Sequence, residues 1–155
     1  MTLAYLGLGS NLGDRRAYLG RALDRLRKLS GPEFRVSRVY ETEPVGGPDD
    51  QAAYLNLVVG VDTDRSPAEL LDFCQSLERE AGRERLVRWE PRTLDVDVLL
   101  YGDLSQDDEH LVIPHPRMWE RRFVLEPLSD IAPDLLPSDW QDHVQEGRVW
   151  PVEDL

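Results

Sequence analysis

The chain has 155 residues, 41% hydrophobic and 31% charged, a composition typical of one soluble globular domain and not of a disordered segment. Eighteen basic residues against thirty acidic ones give a formal net charge of −12, which disfavours nucleic acid or an anionic membrane as the main partner. The single cysteine, Cys74, excludes an internal disulfide or a thiolate zinc cluster and fits a reducing compartment.

The N-terminal segment predicts a strand, a tight turn and a helix. It lacks the basic start of a signal peptide, and no apolar run approaches the ~18 residues of a membrane span, so we expect a cytoplasmic protein. Residues 3–9 predict a buried strand, and Asp14 is expected to cap a helix that ends at residues 30–32. The glycines at positions 7, 9 and 13 do not fit a dinucleotide-binding loop, because Leu12 occupies the third glycine position. They predict a tight turn from the strand into the helix instead.

The middle of the chain predicts two further strands. Residues 34–40 carry apolar side chains at alternate positions, which is typical of a strand. Residues 43–50 are rich in glycine and proline and predict a loop. Residues 54–62 alternate clearly, with leucines and valines on one face and Tyr54 and Asn56 on the other.

A second helix and a fourth strand complete the pattern. Ser66 and Glu69 form a capping-box pair at a predicted helix start, and Gly82 is a fitting end. An arginine-rich loop then leads to a predicted strand over residues 93–101. The order β-α-β-β-α-β predicts an α+β, ferredoxin-like fold, an antiparallel sheet with both helices on one face.

The last third predicts a turn-rich C-terminal extension of the same domain, so that residues 1–155 form a single domain. Residues 111–114 are interpreted as a further short strand, and residues 116–128 as a short helix. From Glu126 onward, eight acidic residues stand against one arginine, which predicts a loosely packed wrap over the surface.

Asp95 and Asp97 are the sharpest chemical signal. Two residues apart on a strand, they share one face with Cα atoms about 6.6 Å apart, while Val96, Val98 and Leu100 are expected to point into the core. Carboxylates placed in this way can converge on hard cations, which also suit substrate phosphates. A bare pair of this kind is more often solvent-facing charge on an open sheet face, but the arginines just upstream favour a metal–polyphosphate site.

The basic residues are unevenly placed. Lys28 is the only lysine, and eight of the seventeen arginines lie in two short stretches: Arg79, Arg83, Arg85, Arg88, Arg92, Arg117, Arg121 and Arg122. A charge run of this kind is often a salt-bridged surface. Arginine also presents a planar donor fork suited to phosphate, so an anion pocket fits the pattern equally well.

Three other side chains are candidates for ligand contacts. His115 lies between two prolines near Arg121 and could donate to phosphate, although a lone histidine is more often structural. Tyr54 and Asn56 share a strand face, where an aromatic ring and an amide could stack on a flat heterocycle and bond its edge. The alternative for this pair is an ordinary polar outer face of the sheet.

Together these motifs resemble the 6-hydroxymethyl-7,8-dihydropterin pyrophosphokinase family of folate biosynthesis. The most specific segment, residues 88–100, reads RWEPRTLDVDVLL and is followed at family-like spacing by VIPH at residues 112–115. The other matching segments are residues 9–12, 54–56, 121–128 and 131–133. The resemblance implies transfer of the β,γ-pyrophosphoryl group of ATP to the pterin hydroxymethyl group, with release of AMP.

The resemblance also implies a role for individual residues by matching position. Two Mg²⁺ ions, bridging ATP and the pterin hydroxyl, would be held by Asp95 and Asp97. The implied catalytic residues are Arg83, Arg92, Asp95 and Asp97. The implied ATP contacts are Gln75, Arg83, Arg85, Trp89, Arg92, Val98, His115 and Arg121. The implied pterin contacts are Thr42, Pro44, Val45, Tyr54, Asn56, Trp89 and Phe123.

Two other function classes compete with this interpretation. A ferredoxin-like sheet with Tyr54 and Phe123 exposed could bind single-stranded nucleic acid, which the net charge and the acidic pair disfavour. A small-molecule-binding regulatory domain without turnover is the second alternative, and intact carboxylates beside arginines argue against it. We expect a monomer whose partners are small-molecule substrates, with no nucleic acid and no membrane.

Overall fold

The structure, a computed structural model, describes residues 1–42, 53–82, 93–144 and 148–155. Its strands are β1 (Thr2–Ser10), β2 (Phe34–Val36), β3 (Val39–Thr42), β4 (Tyr54–Thr63), β5 (Asp95–Tyr101), β6 (Gln106–Asp107), β7 (Val112–Ile113) and β8 (Val149–Val152). Its α-helices are α1 (Arg15–Leu29), α2 (Pro67–Glu80) and α3 (Arg122–Ile131). Single 3-10 turns lie at Met118–Glu120, Pro133–Leu135 and Trp140–Asp142.

One antiparallel sheet organises the molecule. Its order is β5-β1-β4-β3-β8, with β2 also paired to β4, while β6 and β7 form a separate two-stranded sheet. The long strands β1 and β4 pair in the centre, from Thr2 opposite Thr63 to Ser10 opposite Leu55. This arrangement confirms the predicted ferredoxin-like fold, and it makes β5 a strand that pairs with β1 at the sheet edge.

The helices α1 and α2 pack on one face, as predicted. Asp14 caps α1 by accepting a hydrogen bond from the backbone N of Ala17 at 3.1 Å, and Ser66 and Glu69 form the reciprocal capping box of α2. The helix-side core contains Leu19, Leu26, Leu70, Cys74, Leu77, Leu55, Leu57, Val59 and Val61. Among the described residues, no helix is both long and apolar enough to cross a membrane.

The opposite face is covered by α3. The expectation of a loosely packed tail is wrong for α3 and β8, whereas residues 133–143 between them are mostly exposed, as predicted. Leu125 and Leu128 of α3 are fully buried against Val58 of β4, and β8 adds a strand to the sheet beside β3. The acidic residues of this segment leave a strongly one-sided set of apolar positions between them. Because burial depends on those positions and not on net charge, a count of charges could not detect the packing.

A β-bulge separates β2 from β3, where the alternation over residues 34–40 predicts one strand. Val36 lies opposite Val59, yet Tyr40 lies opposite Asn56, so one extra residue stands between the two pairs. The Ser37 N donates to the Val58 carbonyl, and the Val58 N in turn donates to the Ser37 Oγ, both at 2.9 Å. The bulge moves Tyr40 to the face that α3 covers.

A second bulge corrects the prediction that Leu100 shares the core of Val96 and Val98. Leu6 lies opposite Val98, but the preceding Tyr5 lies opposite Leu100, which leaves one extra residue in β5. Leu100 therefore belongs to the α3-side core, whereas Val96 and Val98 stay on the helix side.

Tyr40 anchors α3 to the sheet and supplies a pH-dependent part of stability. Its hydroxyl donates to Asp130 at 2.8 Å and accepts from Arg38 at 2.9 Å. Burial, then the bond to Asp130, raises the pKa of Tyr40 to about 12. Because the folded state holds this proton more tightly than the unfolded chain, the contribution is complete below pH 10 and is lost as the pH rises through 12.

We expect Tyr40→Phe to remove that dependence. In the unchanged protein, the unfolding free energy should fall by about 1 kcal/mol between pH 9 and pH 11 because the Tyr40 phenol ionises first in the unfolded chain. Urea titration at each pH measures this fall. Tyr18→Phe, the same substitution on α1, serves as the control and should keep the dependence. An unchanged pH slope in Tyr40→Phe would contradict the assignment.

Candidate active site

The predicted carboxylates lie beside two glycines of the central strand. Asp97 pairs with Gly7 and Asp95 with Gly9, and on the other side of β1 Gly9 also pairs with Asn56 of β4. Since neighbouring strands lie ~4.8 Å apart, the Cα atoms of Asn56 and Asp95 are about 10 Å apart across Gly9. Three strands thus bring the acidic pair and the predicted heterocycle contacts to one face of the sheet.

A guanidinium stands close to the acidic pair. Burial and the charge of Arg117 lower the pKa of Arg121, and Asp97 and Asp95 act in the opposite direction. Arginine nevertheless keeps its proton in proteins, so Arg121 places a fixed positive charge within electrostatic reach of both carboxylates. Two carboxylates with an arginine in electrostatic reach are a combination of charges suited to a polyphosphate with its counter-ions.

His115 reaches the same region as a neutral donor. Its backbone N donates to the Leu99 carbonyl at 2.9 Å, and its Nδ1 accepts from the Arg117 N at 3.3 Å. Burial, then the charge of Arg121, lowers the pKa of His115, against the opposing effect of Asp95. A neutral ring that accepts at Nδ1 carries its proton on Nε2, which suits donation to a phosphate oxygen.

The predicted heterocycle contacts gather at the ends of β3 and β4. The Asn56 Nδ2 donates to the Thr42 Oγ1 at 2.9 Å, and each residue is only 7% exposed. Tyr54 lies opposite Thr42 in the same strand pair. Phe123, half-buried at the start of α3, holds its ring 5.5 Å from the Arg121 guanidinium carbon. Arg121 thereby connects the aromatic and the acidic parts of this face.

Two of the predicted ATP contacts lie on the other side of the sheet. The Val98 side chain is buried in the helix-side core, and Gln75 is half-buried on α2. The structure does not bring these side chains to the face of Asp95 and Asp97. Their assignment to ATP stays a prediction.

Six predicted site residues fall outside the described residues: Pro44, Val45, Arg83, Arg85, Trp89 and Arg92. Their assignments also stay predictions.

Glu78 is a buried residue that the sequence reasoning missed. It is 4% exposed at the end of α2, and its Oε2 accepts from the Val96 N at 3.0 Å. Val96 lies between Asp95 and Asp97, so this bond fixes the strand that carries them. The available signal was a charged residue four positions after Cys74, within the apolar stripe of α2.

The acidic pair fits a cation that is shared with a substrate. In the described parts of the chain no group of three or more His, Cys, Asp or Glu side chains could hold a metal by itself. Two carboxylates on a rigid strand are nevertheless the donor set by which Mg²⁺ is held together with substrate phosphates and water.

Comparisons with known proteins point to one family. The model of the 7,8-dihydro-6-hydroxymethylpterin-pyrophosphokinase family matches residues 5–133. The 2-amino-4-hydroxy-6-hydroxymethyldihydropteridine pyrophosphokinase of Bacillus subtilis is 46% identical over 151 residues, which cover 96% of this chain and 90% of the relative. The enzyme of that name from Methylorubrum extorquens is 48% identical over 139 residues, which cover 88% of this chain and 86% of the relative.

A solved structure shares the fold. A chain of the Plasmodium falciparum HPPK-DHPS crystal structure superposes with a TM-score of 0.61 at 17% sequence identity. The match covers 89% of this chain and 41% of that one.

Proposed function

Because the chain belongs to the 7,8-dihydro-6-hydroxymethylpterin-pyrophosphokinase family, it transfers pyrophosphate from ATP to hydroxymethyldihydropterin, and we propose that the face shared by Asp95, Gly9 and Asn56 is where it does so. The observation that supports this site is the register of three strands, which places carboxylates on one side of Gly9 and the Asn56 amide on the other. We also propose that residues 1–155 act as one pyrophosphokinase domain, since β8 pairs within the same sheet as β1.

The phosphate side of the site is proposed to rest on charge. Asp95 and Asp97 would hold two Mg²⁺ ions, and these ions would supply charge neutralisation for the transferring group and a lower pKa for the attacking hydroxyl. Arg121 and the Nε2–H of His115 bind triphosphate oxygens from the opposite side. Arg83, Arg85 and Arg92 complete these contacts, with Arg83 and Arg92 in a catalytic role beside Asp95 and Asp97. Gln75, Trp89 and Val98 contact the nucleotide.

The pterin side is proposed to rest on stacking and on one fixed amide. The pterin stacks between Tyr54 and Phe123, and Asn56 bonds its edge in an orientation that the Thr42 hydroxyl holds. Thr42, Pro44, Val45 and Trp89 complete the contacts. A span of about 10 Å from Asn56 to Asp95 leaves room for the hydroxymethyl group to meet the β-phosphorus above Gly9.

In the proposed step, the pterin hydroxyl oxygen forms a bond to the β-phosphorus while the bond from that phosphorus to the α,β-bridging oxygen breaks. AMP leaves with that oxygen, and the hydroxyl proton passes to water. The chain contributes mainly position and charge, since phosphoryl-type transfer needs little covalent chemistry from the protein.

Product analysis tests the site and the step together. The protein incubated with ATP, Mg²⁺ and 6-hydroxymethyl-7,8-dihydropterin should yield AMP and pterin diphosphate in equal amounts, and neither product without the pterin. Chromatography of the nucleotides gives the result directly. ADP would place the wrong phosphorus in line with the acceptor, and tight binding of the pterin without turnover would favour the regulatory-domain alternative.

A further inference from the structure

We propose that Gly9 is a positioning residue for pterin recognition, because its lack of a side chain lets the Asn56 amide lie against the central strand. The inference rests on the proposed role of Asn56 in binding the pterin. Gly9 is the register partner of both Asn56 and Asp95, so it occupies the middle of the face on which the two substrates would meet.

A side chain at position 9 has no space. A Cβ built on Gly9 would lie 2.8 Å from the Asn56 Oδ1 and 3.5 Å from the Tyr54 Cδ1. A separation under 3.0 Å is one that real Cβ atoms essentially never show, so one of the two groups would have to shift. Both of the side chains it approaches are proposed pterin contacts.

The Asn56 amide cannot move away without loss. Its Nδ2 is bonded to the Thr42 Oγ1, and both residues are nearly inaccessible to solvent. A shift of the amide that relieved the contact with position 9 would distort this bond, and weakening a hydrogen bond between two buried polar groups costs free energy. A methyl group at position 9 would therefore displace the Asn56 amide, which is the group proposed to form hydrogen bonds with the edge of the pterin.

The requirement at position 9 is for space and not for an unusual backbone. Among the residues that the structure describes, the glycines with positive φ are Gly13, Gly82 and Gly102, and Gly9 is not one of them. Alanine could therefore adopt the backbone of Gly9 without conformational strain. Gly7, two residues earlier on the same strand, differs: a Cβ there would meet the Leu99 side chain at 3.4 Å, an ordinary contact.

The test is a double-mutant cycle read out by pterin binding. Calorimetric titration with 6-hydroxymethyl-7,8-dihydropterin, in the presence of Mg²⁺ and a non-hydrolysable ATP analogue, gives the Kd for each variant. Gly9→Ala should weaken pterin binding at least ~10-fold, a loss typical of one or two displaced hydrogen bonds. The Kd of the ATP analogue, measured alone, should change by less than ~2-fold, within the scatter of independent sites.

The Asn56→Ala background shows whether the methyl group at position 9 weakens pterin binding through the Asn56 amide or by direct contact with the pterin. Removing the amide also removes the atom that the new methyl group would meet. Gly9→Ala should then add less than a further ~2-fold loss, so that the two substitutions are strongly non-additive. Gly20→Ala, on α1 with no neighbouring atom within 4 Å of the new Cβ, is the control and should bind pterin as the unchanged protein does.

The pterin-binding results can overturn the inference about Gly9 in several ways. Unchanged pterin binding in Gly9→Ala would overturn the inference, and additive losses would overturn it as well, since the methyl group would then obstruct the pterin directly. If Gly9→Ala fails to fold, the same contact predicts that adding Asn56→Ala restores the folded state, and a double variant that stays unfolded counts against the inference. Failure of the unchanged protein to release AMP would overturn the proposed step while the binding cycle still reports on Gly9.

Discussion

Replacing Asp97 by asparagine is expected to slow pyrophosphoryl transfer by at least ~10³-fold while leaving the fold intact. The substitution keeps the side-chain volume on β5 but removes one of the two negative charges within electrostatic reach of Arg121. The remaining amide is a weak ligand for Mg²⁺, so the charge on the transferring group would be poorly neutralised. A loss of about 4 kcal/mol of transition-state stabilisation corresponds to this factor.

The measurement is kcat at saturating ATP, pterin and Mg²⁺, with a urea unfolding curve for the same preparation. Asp103→Asn makes the same chemical change at an exposed position just after β5 and should retain full activity. A folded Asp97→Asn protein with near-normal Mg²⁺-dependent turnover would refute the assignment of the acidic pair.

Replacing Arg121 by glutamine is expected to lower kcat/KM for ATP by at least ~10²-fold, the usual cost of removing a preorganised donor to developing negative charge. Arg121 is half-buried, and both carboxylates act on its pKa, so its charge lies where the triphosphate is proposed to bind. Its guanidinium also lies over the Phe123 ring, so the loss would remove one contact that holds this ring of the proposed pterin site.

Two companion variants make this prediction specific. Arg121→Lys keeps the charge but not the planar fork and should recover only part of the lost kcat/KM. Arg122→Gln changes the next residue, whose Nη1 lies 3.8 Å from the Glu126 Oε1 on the same helix. This variant should keep kcat/KM for ATP within ~2-fold of the value for the unchanged protein. Equal losses in Arg121→Gln and Arg122→Gln would mean that the local charge matters and not the position of Arg121.

The elements of the sheet and the two helices beneath it could be predicted from the sequence because their signals are local. The cap at Asp14, the capping box of Ser66 and Glu69, and the alternation along β4 all depend on residues within a few positions of each other. The same period of two placed Asp95 and Asp97 on one face. The resemblance to the family likewise rested on short segments, chiefly residues 88–100 and 112–115, and the comparisons confirm it.

The two β-bulges and the pairing of β8 with the sheet could not be predicted from the sequence, because they depend on tertiary contacts. An extra residue at Ser37 or in β5 is accommodated by hydrogen bonds to a partner strand far away in the chain, and nothing in the local sequence marks the point where the register shifts. The pairing of β8 with β3 likewise joins segments from opposite parts of the chain. Which strands pair depends on which distant segments compete for the same sheet edge. The alternation of apolar residues within one segment carries no information about that competition.

The role of Gly9 shows the same limit at the site itself. In the sequence it belongs to a glycine-rich turn, and its own neighbours give no reason to connect it with Asn56. The sheet register sets it between Asn56 and Asp95, and the packing of the Asn56 amide against its backbone leaves no space for a methyl group. The sequence by itself determined which side chains can bind a metal, a phosphate or a flat heterocycle, because those are properties of single residues and short spacings. Only the tertiary structure decided which of them share one face and which backbone positions between them must stay empty, because both depend on the register of strands that are remote in the chain.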